Sequence, residues 1–189
     1  MILYGSTTSP FARRIRLFTY AIPLEFVNMD VFGADREQLK QKNPTLKVPF
    51  LVDEEVVIFD SRVIFRYLSN KFKLTAITWE LENSLTLIDA ANDSLVEILL
   101  LGRSGFDTSA DSLFFNLQRQ RIAKVLDELE LQVQNGVFND WHYPAMCLYC
   151  LLDWIDFRQI IPLNSYSALI DFWHRHQNRE DVVATDPRH

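Results

Sequence analysis

The sequence predicts an α/β region followed by an all-helical region. Over residues 1–76, short apolar runs typical of strands alternate with helical patterns, in the order β-α-β-α-β-β-α. Beyond residue 76 the strand signals end, and apolar residues recur every three or four positions. The first pattern is typical of a sheet layered with helices. We therefore expect two domains, 1–76 and 77–189.

The first region begins with an apolar run at residues 2–4, which predicts a strand. Pro10 follows a polar loop and favours the first turn of a helix. Residues 24–29 predict a second strand. Residues 35–41 are polar, with Leu39 as the main apolar anchor, and predict either a short helix or a loop.

A hairpin pattern follows. The apolar runs 48–52 and 56–59 flank a polar turn. Pro49 cannot donate to a sheet ladder, so it is expected at an edge or at the start of a strand. Asp60 and Ser61 directly precede a helical pattern, which is a signal for a capped helix N-terminus.

The second region predicts four helices. The third of them is apolar on nearly all sides, so we expect it to be the central helix. It contains Cys147 and Cys150, which we expect to be buried thiols, because they have no partner pair for zinc. We therefore expect no metal site. The four predicted helices cover residues 81–99, 113–133, 144–158 and 165–177.

Composition excludes several classes of function. The net charge of −6 disfavours a general nucleic-acid binder, which needs a basic field. No apolar run approaches the roughly 18 residues of a membrane span. Residues 1–6 lack the basic and apolar segments of a secretory signal, so we expect a cytoplasmic protein.

Ser9 is the first candidate for chemistry. A hydroxyl at a helix N-terminus can donate to a ligand thiolate, and with the helix dipole it would lower the thiol pKa from about 8.5. An ordinary N-cap serine is the alternative. Thr7 and Thr8 are alternative donors. Dithiol exchange is excluded here, because Ser9 and Ala12 stand where a Cys-x-x-Cys motif would have its thiols.

Two further candidates lie in the hairpin. If the bond between Val48 and Pro49 is cis, the Val48 backbone would be exposed to an extended peptide, and Lys47 could meet a carboxylate. Ser61 at a helix start could hold a carboxylate, and Asp60 an ammonium group. The alternatives are a plain strand start beside a solvated lysine, and a plain capping pair.

Together these motifs resemble the glutathione transferase family, in particular bacterial members with a serine-type active-site motif. The resemblance covers nearly the whole chain. It implies a thioredoxin-like N-terminal domain and a helical C-terminal domain, usually in a homodimer. The stretches that carry it are 9–11, 43–49, 60–61, 85–90, 118–122 and 181–188.

The resemblance also implies roles for single residues. Ser9 would stabilise the thiolate of glutathione, the co-substrate. The Val48 backbone would pair with the cysteinyl part, with cis Pro49 shaping the turn. Asp60 and Ser61 would bind the γ-glutamyl amine and carboxylate.

The remaining assignments concern the margins of the site. Lys47 could reach the glycyl carboxylate. Phe11, beside Ser9, is assigned to the glutathione site and to a wall of the second-substrate pocket. Arg103 and Phe106 are the other expected walls of that pocket.

The implied activity is thiolate attack on a small hydrophobic electrophile, or thiol-dependent reduction, in detoxification. The alternative is a non-catalytic binding or regulatory protein of the same fold, similar to stringent-starvation proteins that work as partners of the transcription machinery. One departure concerns the central helix, which in the family often begins with a Ser/Thr-x-x-Asp capping box. His142 and Ala145 stand at those positions, so we expect the helix to lack this cap unless Asn139 or Asp140 supplies one.

Overall fold

The computed structural model describes residues 1–74 and 76–189. The chain divides into two compact units. The first unit comprises residues 1–76 together with 177–189, and the second comprises residues 77–176. The domain limits 1–76 and 77–189 stay a prediction from sequence, and the structure adds that residues 177–189 pack with the first unit.

The first unit is built on a four-stranded mixed sheet in the order β2-β1-β3-β4. Strand β1 is parallel to β2 and antiparallel to β3, and β3 is antiparallel to β4. The predicted fold class is confirmed, and the segment left open as helix or loop is helix α2. The elements are β1 Ile2–Gly5, α1 Pro10–Phe18, β2 Glu25–Asn28, α2 Arg36–Lys42, β3 Phe50–Asp53, β4 Val56–Phe59 and α3 Ser61–Lys71.

Alternation along the strands divides this core into two faces. On one face Tyr4 stacks on Phe50, with ring centroids 4.7 Å apart, and Leu39 of α2 packs against them. On the other face Gly5 allows α1 to approach the sheet, because a Cβ placed on Gly5 would lie 2.7 Å from the Ala12 Cβ. The position of α1 therefore depends on the missing side chain at Gly5.

Every regular element in the described residues of the second unit is a helix. Helix α6 is buried along most of its length, as its uniformly apolar sequence predicts. Its thiols, Cys147 and Cys150, are free and buried, as expected. The helices are α4 Trp79–Arg103, α5 Leu113–Gln134, α6 Tyr143–Arg158 and α7 Ser167–His176, and a short helix in the first unit, α8, spans Glu180–Val183.

The N-terminus of α6 corrects one expectation. The His142 Nδ1 accepts a hydrogen bond from the Ala145 N–H at 3.1 Å, and its Nε2 lies 3.1 Å from the Val137 carbonyl oxygen. The reciprocal capping box is missing, as expected, because Ala145 has no carboxylate, but the expectation that a cap would have to come from Asn139 or Asp140 was wrong, since His142 itself caps the helix. A neutral imidazole offers one acceptor and one donor, and this geometry uses both.

Candidate functional site

The strand register brings the predicted glutathione-site segments of the first unit to one end of the sheet. Tyr4, the penultimate residue of β1, pairs with Phe50 at the start of β3, and Phe50 pairs with Phe59 at the end of β4. Neighbouring strands lie about 4.8 Å apart. The loop after β1, the chain that enters β3 at Pro49 and the chain that leaves β4 at Asp60 therefore converge.

Ser9 is the N-cap residue of α1. Its Oγ accepts a hydrogen bond from the Ala12 N–H at 3.3 Å, and its own N–H donates to the Ser6 carbonyl at 3.0 Å. Among the described residues, none accepts the Ser9 hydroxyl proton. Capping uses an oxygen lone pair and leaves the O–H available, so an N-cap serine can also donate to a ligand.

The loop before Ser9 is tied to its surroundings. The Thr7 N–H donates to Asn28 Oδ1 at 3.0 Å, which links the loop to the end of β2. The Thr8 hydroxyl oxygen lies 3.2 Å from that of Ser6, within hydrogen-bond distance. Thr7 and Thr8 stay alternatives as thiolate donors, but the Thr8 hydroxyl already has a partner.

Asn43 organises the loop that leads to β3. Its side chain is buried, its Nδ2 donates to the Lys47 carbonyl at 2.8 Å, and its Oδ1 accepts from the N–H and the hydroxyl of Thr45, both at 2.9 Å. We assigned Asn43 no role from the sequence. The Asn-Pro pair was the available signal, because Asn side chains bond to nearby backbone in turns.

The segment after this loop presents its backbone. The peptide bond between Val48 and Pro49 is cis. No described residue donates or accepts a hydrogen bond at the Val48 backbone. Lys47 is exposed and Val48 is half-buried. An extended peptide could therefore pair with Val48 as a further strand would.

Asp60 caps helix α3 in an unusual backbone conformation. Its φ is 73°, and its Oδ1 accepts from the N–H groups of Arg62 at 2.8 Å and Val63 at 3.3 Å. Non-glycine residues with positive φ cost about 1–3 kcal/mol and cluster at binding sites. Oδ2 of Asp60 accepts no hydrogen bond from the described residues. Ser61, the first residue of the helix, is 2% exposed.

Phe11 is the second residue of helix α1 in the first unit. It is half-buried, and the Arg14 guanidinium carbon lies 4.7 Å from its ring centroid. One face of the ring is thus covered by a cation.

The other two predicted residues belong to the second unit. Phe106 is 60% exposed and lines an open groove of about 550 Å³, whose walls are almost entirely apolar. Arg103, at the end of α4, is exposed and is not among the lining residues. Burial lowers the pKa of Arg158, and the nearby charge of Arg103 lowers it further. The groove is lined by Glu97, Leu100, Leu101, Phe106, Phe114 and Phe115.

Two features are absent from the described residues. No group of three or more His, Cys, Asp or Glu side chains is placed to hold a metal ion. No helix in the described part of the chain combines the length and the apolar character needed to cross a bilayer.

Known proteins match part of this chain in sequence. Residues 3–76 match the family model described as the glutathione S-transferase N-terminal domain. The chain is 32% identical over 76 residues to a stringent starvation protein A homolog of Coxiella burnetii, a match that spans 38% of this chain and 35% of that protein. It is 33% identical over 72 residues to glutathione S-transferase hmp2 of Hypomyces subiculosus, which spans 37% and 34%. The chain thus aligns with about a third of each relative's length.

Solved structures extend the likeness to the whole fold. A glutathione S-transferase of Methylobacillus flagellatus with glutathione bound superposes with a TM-score of 0.85 at 22% identity, covering 98% of both chains. A glutathione transferase family member from Pseudomonas fluorescens with bound glutathione gives 0.82 at 22% identity, again covering 98% of both. Residues 3–76 therefore correspond to a glutathione S-transferase N-terminal domain, and the chain as a whole has the glutathione S-transferase fold.

Proposed function

We propose that this protein is a glutathione-dependent enzyme that activates the glutathione thiol for attack on a small electrophile. The observation that supports it best is the convergence of three features at one end of the sheet. These are the Ser9 hydroxyl with its undonated proton, the unpaired Val48 backbone and the helix start at Asp60 and Ser61. An extended tripeptide with a thiol and charged ends matches all three.

Glutathione would be held largely by backbone and by charges. The Val48 N–H and C=O pair with the cysteinyl part of the peptide. Asp60 Oδ2 receives the γ-glutamyl ammonium group, and the start of α3 at Ser61 receives its carboxylate. Lys47 meets the glycyl carboxylate, and Phe11 lies beside the Ser9 turn.

The chemistry would then depend on the state of the thiol. The Ser9 hydroxyl donates to the thiolate and the N-terminus of α1 adds a favourable field, so the thiol loses its proton to solvent more readily. The thiolate attacks an electrophilic carbon, a carbon–sulfur bond forms, and the bond from that carbon to its leaving group breaks, so that the leaving group departs with the electron pair as an anion. Catalysis rests on the lowered pKa and on positioning, without a protein nucleophile.

The second substrate is proposed to be a small hydrophobic electrophile. Phe106 and the apolar groove around it suit such a molecule, since apolar walls bind by excluding water. Arg103 stays a proposed member of this pocket although it does not line the groove. The homodimer, the cytoplasmic location and the role in detoxification belong to the same proposal and rest on the family resemblance alone.

The test is to measure the pKa of the thiol of bound glutathione from the absorbance of the thiolate as a function of pH. In the wild-type protein we expect a value well below the ordinary value of about 8.5. Ser9→Ala should return it towards that value and lower kcat/KM by about 10²-fold, the typical loss of one donor to a developing anion. Thr7→Val and Thr8→Val are matched controls, which should keep the lowered thiol pKa and the wild-type kcat/KM. If one of them behaves like Ser9→Ala, the donor is that threonine.

A second candidate function is a non-catalytic regulatory protein. The match to the stringent starvation protein A homolog supports it. Its expected result is a wild-type protein that neither binds glutathione on an affinity column nor turns over a model electrophile. That result would overturn the enzyme proposal.

A further inference from the structure

The side of helix α1 that carries Arg13 and Arg16 is covered by the last part of the first unit. We call residues 179–186 the C-terminal clasp. The Arg16 guanidinium reaches the carbonyl oxygens of Thr185 and Ala184, both at 3.5 Å. The cationic face of α1 is therefore in contact with a returning segment of its own chain.

Arg13 makes the central contact of the clasp. Its side chain is 3% exposed, its Nη2 donates to the Val182 carbonyl at 3.1 Å, and its Nε donates to Thr185 Oγ1 at 3.3 Å. Thr185 is itself buried, and its hydroxyl donates to the Asp181 carbonyl at 2.9 Å. The Thr185 partner of Arg13 is thus fixed within the clasp. A buried guanidinium cannot leave such partners without a large loss in free energy.

The same residue is bonded to Ser9 through the backbone. The Arg13 N–H donates to the Ser9 carbonyl at 3.0 Å, and the neighbouring Ala12 N–H donates to Ser9 Oγ at 3.3 Å. On the sheet side, Gly5 lets Ala12 approach β1 closely. The first turn of α1 is therefore held from two sides, by β1 through Ala12 and by the clasp through Arg13.

We propose that Arg13 is a positioning residue, which holds the Ser9 hydroxyl in place by anchoring α1 to the C-terminal clasp. The proposal rests on the proposed function, in which Ser9 donates to the glutathione thiolate. Hydrogen bonds weaken steeply as distance and angle depart from their optimum. A small movement of α1 would therefore raise the thiol pKa without removing any group that touches glutathione.

The test uses the full chain with Arg13→Met, Arg13→Lys and Thr185→Val. Arg13→Met should raise the bound thiol pKa towards that of Ser9→Ala and lower kcat, while KM for glutathione changes less than about twofold. Exchange of the Ala12 amide, measured by NMR without ligand, should quicken by about tenfold, because local opening becomes easier. Arg13→Lys should recover part of both effects. Thr185→Val removes the hydrogen bond from Arg13 Nε and the hydroxyl bond to the Asp181 carbonyl, and it keeps the test possible if Arg13→Met does not fold.

Tyr20→Phe separates positioning from general stability. It removes the 2.9 Å hydrogen bond that the Tyr20 hydroxyl donates to the Glu180 carboxylate. This bond also ties the chain to the clasp, but Tyr20 lies beyond the last residue of α1. We expect it to leave the thiol pKa and the Ala12 amide unchanged. Unchanged thiol pKa and Ala12 exchange in both Arg13→Met and Thr185→Val would overturn the proposal. If the wild-type protein does not lower the thiol pKa, the proposed function fails, and Arg13 has no catalytic group to position. The exchange rate of the Ala12 amide still reports whether the clasp holds α1 in that case.

Discussion

The two candidate binding surfaces of this protein are built from different groups. The sheet-end site of the first unit consists of unpaired backbone, a hydroxyl and capped helix starts. The groove of the second unit consists almost wholly of apolar side chains, with Glu97 as its acidic member. Polar groups at fixed positions select one partner, because a ligand that fails to pair with them leaves them unsatisfied. Apolar walls reject little and accept many shapes.

This difference predicts that a substitution at one surface leaves ligand binding at the other surface unchanged. Changes at the sheet end should alter the affinity for glutathione, and changes in the groove should alter only the second substrate.

Asp60→Asn should weaken glutathione binding by about 10- to 100-fold, the cost of a lost hydrogen bond to a charged group. The side-chain amide keeps an acceptor for the N–H groups of Arg62 and Val63, and Asn also tolerates positive φ, so stability should change little. Calorimetric titration with glutathione and with its deamino analogue measures the effect. The two ligands should differ in affinity in the wild-type protein and converge in the variant. Equal losses for both ligands would show that Asp60 does not bind the ammonium group.

Phe106→Ala should raise KM for an apolar electrophile by about fivefold, since about 1 kcal/mol of apolar contact is lost. The affinity for glutathione should stay the same. Leu113→Ala is the matched control, because Leu113 is 77% exposed and does not line the groove. Steady-state kinetics with both substrates varied measures the effect. A change in the glutathione KM alone would break the division between the two surfaces.

His142→Ala should lower the free energy of unfolding by about 1 kcal/mol, the usual cost of a lost N-cap. His142→Ser should restore it, because Ser can accept from the Ala145 N–H in the same way. Denaturant melts of the variants measure the effect. Equal loss in both variants would indicate that the imidazole packing against Phe138, not the cap, is what matters.

The smallest effect concerns pH and the far end of β3. Hydrogen bonds from Lys71 and then Tyr67 lower the pKa of the Asp53 carboxyl, and the bond to Asp53 raises the pKa of Lys71. The Asp53 carboxylate therefore stabilises the folded state above its unfolded pKa of about 3.9. This stabilisation is lost as pH falls through the lower pKa of the folded state. The Lys71 ammonium group stabilises the folded state below its unfolded pKa of about 10.4. This stabilisation is lost as pH rises through the higher pKa of the folded state.

Asp53→Asn removes both contributions. The melting temperature of the variant should be slightly lower at neutral pH and should depend less on pH at both extremes. Glutathione binding should persist, because Asp53 is at the opposite end of β3 from Phe50. A variant with the same pH profile as the wild-type protein would contradict this assignment.

The sequence was most informative where a local pattern decides the structure. The apolar runs of the hairpin, the N-cap at Asp60 and the uniformly apolar helix α6 are all local features, and the structure confirms each of them. Ser9 was predicted at the start of α1 for the same reason, because Ser before Pro marks a helix N-terminus.

The features that escaped prediction depend on contacts distant in sequence or on unusual side-chain use. The bonds from Arg13 to Val182 and Thr185 join segments about 170 positions apart, which no local pattern encodes. His142 acts as a cap through an imidazole nitrogen, a residue type outside the usual capping set. Asn43 makes its bonds to Thr45 and Lys47 within a tight loop whose conformation the residue types alone do not fix.

The most direct test of the central claim is an NMR titration of the wild-type protein with glutathione. We predict saturable shifts of the backbone amides of Ser9, Val48 and Ser61, with no change at Leu101 and Phe106 in the groove. A titration that leaves the three sheet-end amides unchanged, or that shifts only the groove, would contradict the account.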